Sequence, residues 1–317
     1  MVSICLNQQQ AQTILQTNLL ARSVFHEMVI KMDVPKVYST VNANEAWWWN
    51  VAKPNTTGRI LTTTEISLRL IETVVREGGA TSTELAHDLD LAQSTVLNHL
   101  NTLKQYGYLV RENNMYYAGA KFCHISDYVR RRKPEYLIAA DVVASLTEKT
   151  NLEADFAVEE NGHVISIQNE LNFSDDSHFL TDGRFFHVHS TASGKAILAE
   201  YSDDKVERII QQWGLPEMTE NTITEKGVLY EELEQVRERG YAIGEEEAIE
   251  GLWAIAKVVT SPIGDICGSL NLSGPTYHYN EDIRRSAVET LESEVNNFEN
   301  QIESQFMKMY GREPTSE

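Results

Sequence analysis

The sequence predicts an α+β protein in two parts: an N-terminal winged helix-turn-helix, then a domain built from a central antiparallel sheet and flanking helices. Three observations predict it. Three short helical patterns followed by a hairpin pattern fill residues 64–118, strand and helix patterns alternate from Pro134 onward, and the charge divides between the two regions.

In the first part, Ile66, Leu70 and Val74 follow helical spacing up to the break at Gly78-Gly79. Thr81 with Glu84 forms a capping-box pattern opening a second helix that carries Leu85, Ala86 and Leu89. After Asp90-Leu91 comes a third helix, Gln93 to Tyr106, with Val96, Leu100 and Leu103 on one face and a halt at Gly107. Tyr108 to Arg111 and Met115 to Ala118 flank Asn113-Asn114, a pair that tolerates left-handed dihedrals and suits a tight hairpin. Residues 62–119 are therefore expected to form the winged domain. A helix over 120–134, ending in Arg130-Arg131-Arg132-Lys133 before Pro134, is expected to link it to a second domain over 135–306, with a tail at 307–317.

In the second part, Leu137, Ala140, Val143 and Leu146 suggest the apolar face of a helix from Pro134 to Thr150. Ala154 to Glu159 and Val164 to Gln168 pair as strands around Asn161-Gly162. Helices follow at Ser193 to Tyr201, Asp203 to Trp213 and Val228 to Arg239, the last stopped by Gly240. Strands Trp253 to Thr260 and Ile266 to Leu272 are joined by Pro262-Ile263-Gly264-Asp265, and Ile283, Ala287, Leu291, Val295, Phe298 and Ile302 define a closing amphipathic helix.

Residues 1–61 read differently, with Gln8-Gln9-Gln10, Trp47-Trp48-Trp49 and only a weak helical stretch from Ala11 to Met32. Two readings stay open: a loosely attached extension, or upstream DNA translated ahead of a later start codon. The Trp triplet is what keeps the second in play, since exposed apolar patches are normally avoided.

The chain has 317 residues, 42% of them hydrophobic, and a formal net charge of −20. That suits two packed domains and excludes a disordered acidic chain. Three cysteines without a C-x-x-C pair fit a reducing cytoplasm, and no apolar run is long enough for a membrane span or a secretory signal. The charge alone argues against nucleic acid, because DNA binding relies on Lys and Arg displacing counterions. By region, however, residues 1–63 carry +2, 64–134 carry +1 and 135–317 carry −23, so the acidity belongs to the second domain.

The polar third helix is the strongest functional signal. Base edges in the major groove offer donors, acceptors and a thymine methyl, which Gln93, Ser94, Thr95, Asn98 and His99 can meet. Lys104 lies on the exposed side of that helix, and Arg111 and Asn113 in the wing can reach the backbone or minor groove. The bland reading is a module that docks protein. His187 and His189 would share one strand face, yet no further ligand follows at metal spacing, so they read as structural. Glu245-Glu246-Glu247 reads as a turn cap or solvated acidic face. Thr191 to Ala196 looks like a phosphate loop but lacks its first glycine and its metal-binding hydroxyl, leaving a helix start suited to a carboxylate. No catalytic constellation is present, so neither an enzyme nor a bound cofactor is expected.

The chain resembles the IclR family of transcriptional regulators from about Thr62 to Gln305. The resemblance rests on Ser94-Thr95-Val96 with Leu100-Asn101-Thr102-Leu103, on His189 to Ala196, and on Gly240-Tyr241-Ala242-Ile243 leading through Glu246-Glu247 and Gly251 to Leu270-Asn271-Leu272-Ser273-Gly274-Pro275. It implies a homodimer or tetramer that binds a double-stranded DNA operator, with a C-terminal sensor domain similar to GAF and PAS folds that takes a small organic effector. Carried over position by position, the pocket falls on Gly194, Gly244, Leu252, Ala254, Asn271 and Ser273. Gly244 stands where relatives often carry Asp, and Ala254 where a Cys or similar side chain is common, so the implied pocket has lost a polar anchor. The acidity, with Arg exceeding Lys 15 to 12, resembles haloarchaeal members whose acidic surfaces stay hydrated in salt.

The expected function is thus a cytoplasmic, effector-responsive transcription factor, activator or repressor, whose effector is a carboxylate metabolite. The alternative is a small-molecule sensor whose winged module docks protein.

Overall fold

A computed structural model of the chain describes residues 60–171 and 185–311. The expected N-terminal extension, apart from its last two residues, and most of the tail lie outside these. The described residues divide into two compact units, 66–118 in the first and 60–65 with those from 119 onward in the second, so the linking helix belongs with the second unit.

The first unit holds α1 (Thr62–Arg76) from residue 66 on, then α2 (Ser82–Asp88) and α3 (Gln93–Gln105), which precede the wing strands β2 (Leu109–Glu112) and β3 (Met115–Ala118). A two-residue strand, β1 (Ala80–Thr81), pairs with β3 and closes a three-stranded antiparallel sheet. Thr81 forms the expected capping box, accepting from the Glu84 N–H while the Glu84 carboxylate accepts from the Thr81 N–H. Asp90 and Asn113 hold left-handed φ of 51° and 55°, which turns the chain between α2 and α3 and across the wing tip. Leu70, Val74, Leu85, Val96, Leu100, Leu109 and Tyr116 fill one core, as the helical spacing requires.

The second unit opens with α4 (Lys121–Arg131) and α5 (Pro134–Thr150), then β4 (Glu153–Glu160) and β5 (His163–Glu170). β6 (Phe185–His187), α6 (Ala192–Ala199), α7 (Asp203–Trp213) and α8 (Lys226–Arg239) follow, then β7 (Ala242–Glu245), β8 (Leu252–Thr260), β9 (Ile266–Pro275) and α9 (Glu281–Tyr310). The strands form one antiparallel sheet in the order β6-β5-β4-β9-β8-β7.

Strand alternation assigns the two faces. Phe156, Leu270 and Leu272 point into a core with Tyr136, Val143 and Leu146 of α5 and Leu291, Val295 and Phe298 of α9. Ala157, Val164 and Ala256 point the other way, toward Ala196 and Leu198 of α6 and Leu229 and Leu233 of α8. The sheet is therefore sandwiched between two helical layers.

Three expectations are corrected. On α5, Leu137 and Ala140 are exposed and the buried face runs through Tyr136, Ala139, Val142, Val143 and Leu146, because Val142 and Val143 both pack inward and rotate the stripe by one position. His189 lies in a 3-10 turn (Val188–Ser190) rather than in the strand, which ends at His187. α9 continues to Tyr310, into the expected tail, and ends on Gly311 in a left-handed conformation.

Candidate functional site

On α3, positions i, i+4, i+7 and i+11 put Ser94, Asn98, Asn101 and Gln105 on one exposed face, with Leu97 at its edge, opposite the buried Val96, Leu100 and Leu103. Ala92, at the N-cap, supplies no side-chain cap, so first-turn N–H groups stay open to an anion. Gln93 is exposed and donates from Nε2 to the Thr83 hydroxyl at 3.1 Å, tying α3 to α2. Thr95 is half-buried and Lys104 exposed. His99 is turned inward: its Nδ1 lies 2.8 Å from the Ser67 hydroxyl of α1. On the wing, exposed Arg111 donates to the Asn114 side chain at 2.9 Å and rests on the Tyr116 ring, beside exposed Asn113. Leu97 escaped the sequence reading because an apolar residue in a helix is ordinarily assigned to the core.

In the second unit, sheet register builds a cavity. β7, β8 and β9 set Gly244 beside Ala254 and Ala254 beside Ser273, while β4 and β9 set Asp155 opposite Asn271. These residues share the sheet face beneath α6, and with Leu252 they line a cavity of about 50 Å³, room for roughly three to five water molecules. Small residues keep it open. A side chain at Gly244 would approach the Ala192 nitrogen to 3.4 Å at Cβ.

Gly194, the remaining expected pocket position, does not line the cavity. It lets α6 lie against the 3-10 turn, where a Cβ would fall 2.0 Å from the Val188 carbonyl oxygen. The cavity is instead reached by Thr191, Ala192 and Ser193, the start of α6. The Thr191 hydroxyl accepts from the Gly194 N–H at 2.9 Å, so the amides of Ala192 and Ser193 stand at the open end of the helix.

Two polar residues that sequence reasoning missed complete the site. Asp155, 3% exposed, accepts a 2.7 Å bond from the Asn271 side chain. Glu247 was expected on a solvated acidic face but is buried. Its Oε1 accepts from the fully buried Lys195 ammonium at 2.5 Å, with Glu232 of α8 3.4 Å from the same ammonium. Thr219 and Thr222 explain the burial, donating to the backbone carbonyls of Glu246 and Glu247 and folding the acidic loop over the cavity. Burial raises the Glu247 carboxyl above its usual range, opposed by Lys195. Its Oε2 and the Ser273 hydroxyl are buried without a hydrogen-bond partner among the described residues, and both residues line the cavity.

His163, His187 and His189 follow one another with tilted rings, their centroids 5.1 and 5.7 Å apart. Among the described residues no three His, Cys, Asp or Glu side chains are grouped to hold a metal. Burial, reinforced by the neighbouring imidazole and Lys195 charges, lowers His187 and His189 to about 4, and burial lowers His163 as well. The unfolded chain binds protons near pH 6.5 and the folded one does not, so stability is full above that pH and falls as pH drops toward 4. Unfolding free energies from urea titrations at pH 7.5 and 5.0 should differ by a few kcal/mol, and His187→Phe should reduce that difference. Equal losses in the variant and the parent would remove the cluster as the cause.

Comparison with known proteins bears on both units. The family described as bacterial transcriptional regulator IclR C-terminal matches residues 136–298, and the IclR helix-turn-helix domain matches residues 63–113. The chain is 26% identical over 221 residues to a probable HTH-type transcriptional regulator, ArcR, of Halobacterium salinarum, covering 68% of this chain and 84% of that protein. Its fold is similar to that of an IclR transcriptional regulator of Alicyclobacillus acidocaldarius (TM-score 0.66, 21% identity, 77% of this chain and 100% of that one). It is also similar to an IclR homolog of Microbacterium hydrocarbonoxydans complexed with 4-hydroxybenzoate (TM-score 0.64, 18% identity, 76% and 99%). Among the described residues no helix is long and apolar enough to cross a membrane. The chain belongs to the IclR family, as a DNA-binding transcriptional regulator with a C-terminal ligand-binding domain.

Proposed function

We propose that Ser94, Asn98 and the rest of the exposed α3 face read base edges of an operator half-site, while Gln93, Lys104, Arg111 and Asn113 hold its backbone. In this reading two or four copies act together, and a small carboxylate in the cavity changes the spacing of their reading heads. One observation carries it: a single chain combines an exposed polar helix on a winged fold with a cavity in which the buried Glu247 Oε2 and Ser273 hydroxyl have no hydrogen-bond partner among the described residues. The 4-hydroxybenzoate held by the Microbacterium homolog supports a carboxylate.

DNase footprinting over the gene's own upstream region should reveal a protected site whose occupancy changes with added metabolite pools. No protection at any salt, with or without metabolites, contradicts the proposal. By linkage, an effector that weakens DNA binding must itself bind more weakly to the DNA complex. At the protected site, Asn98→Ala should lose about 1–3 kcal/mol of discrimination between operator and mismatched DNA. Arg111→Ala should weaken all sequences alike and flatten the salt dependence. An unchanged mismatch profile removes Asn98 from the readout.

A further inference from the structure

We propose that Leu97 is a base-reading residue: it packs on the C5-methyl group of a thymine in the operator half-site and makes a T·A pair the preferred one at that position. The inference rests on the DNA reading of α3 given above and deepens it from a helix face to one side chain and one base.

α3 carries four apolar side chains. Val96, Leu100 and Leu103 are buried in the winged core, and Leu97 alone of the four is exposed, at 36%. Helical spacing explains the difference. Positions 96, 100 and 103 recur at i, i+4 and i+7, whereas 97 is turned about 100° from 96, out of the buried stripe and onto the border of the polar face. Its neighbours there are exposed Ser94 one turn earlier and exposed Asn101 one turn later, with exposed Asn98 next to it in sequence. The other large exposed apolar side chains of the winged unit, Leu68 on α1, Tyr106 after α3 and Val110 on β2, stand outside this helix.

These surroundings decide what can cover Leu97. A protein surface that buried the leucine would also bury Ser94, Asn98 and Asn101 around it and would have to pair each of their polar groups. The major groove meets all of them at once: base edges supply donors and acceptors to the hydroxyl and amides, and the thymine methyl is the one apolar group the groove presents. Leucine brings neither donor nor acceptor. Set against the cytosine or adenine amino group, or the guanine carbonyl, it would displace water and replace no hydrogen bond, whereas against thymine it removes apolar surface from water on both sides. An asparagine that takes adenine N6 and N7 and a leucine that takes a thymine methyl both favour A·T pairs, so neighbouring positions of α3 ask for compatible sequence.

The test starts from the duplex that the full chain enriches from a random library. Each thymine of the enriched motif is replaced in turn by deoxyuridine, which removes only the C5-methyl and keeps the base pair, and affinity is measured by fluorescence anisotropy. One replacement should weaken binding about three- to fivefold, the worth of one methyl group removed from water. Leu97→Ala should bind the thymine and deoxyuridine duplexes within about 1.5-fold of each other. Leu97→Met, apolar and of similar volume, should keep the difference. If Leu97→Ala melts within the assay range, Leu97→Gln takes its place and should abolish the methyl effect in the same way. A motif without thymine, a motif in which every thymine tolerates deoxyuridine, or a methyl effect that survives Leu97→Ala overturns the proposal and leaves DNA reading by α3 standing. A parent that enriches no motif removes the DNA reading itself, and this proposal with it.

Discussion

Lys195→Met is expected to destabilise the second domain by about 3–5 kcal/mol, the cost of breaking a buried ion pair by removing one partner. Methionine fills a similar volume, so the loss is electrostatic: Glu247 stays buried with its cation gone, and Glu232 keeps Arg239, which donates to it at 2.7 Å. Glu247 can escape by taking a proton, since its carboxyl is already raised. A raised acid binds more protons folded than unfolded, so the penalty should be small in mild acid and grow as pH rises. Removing both charges in Lys195→Met/Glu247→Leu should recover most of the loss, as replacement of buried ion pairs by apolar residues commonly does. Urea unfolding of the three proteins at pH 5.5 and 7.5 measures this. A double variant as unstable as the single one would show that Lys195 acts through packing.

Gly194→Ala is the second large effect. The added carbon would lie 2.0 Å from the Val188 carbonyl oxygen and 2.6 Å from the Val188 Cα, all backbone, so no side-chain rotation can relieve it. Every residue of α6 is buried, which leaves the helix little room to slide. Overpacking of this kind costs about 3 kcal/mol or more. For a domain of this size that is a drop of roughly 6–12 °C in Tm. Because α6 also carries Thr191, Ala192 and Ser193 to the cavity rim, ligand binding should weaken with it. A Tm unchanged by the substitution would mean that α6 is not seated against the 3-10 turn.

These two positions also show where sequence reading reaches and where it stops. The winged unit was legible because its signals are local: Thr81 caps with Glu84 three residues on, and Asn113 turns between strands that pair immediately on either side. The same holds for α9, whose buried residues recur at helical spacing. Within the cavity, strand alternation places Asn271 and Ser273 on one face, a period of two that can be read along the strand. Asp155 gave no such signal, because its partner Asn271 lies 116 positions away and only the β4·β9 register joins them. Glu247 was misread for a related reason: in a run of three glutamates it looks solvated, and the ammonium that accounts for its burial sits 52 positions earlier. Gly194 belonged to the right motif, but what it makes room for is the turn backbone rather than a ligand.

The charge division bears on how DNA would be held. Residues 64–134 carry only +1 against −23 in residues 135–317, so long-range attraction to phosphate is weak and specificity must come from close contacts along α3 and the wing. Non-specific affinity should accordingly be low and its salt dependence shallow.

Selection of bound sequences from a random duplex library by the full chain, with Asn98→Ala run in parallel, decides whether α3 reads DNA. The parent should enrich one short motif, and the variant should lose preference at one position of that motif while keeping the others. A folded parent that enriches nothing at any salt, or a variant that enriches the identical motif as strongly, would contradict it.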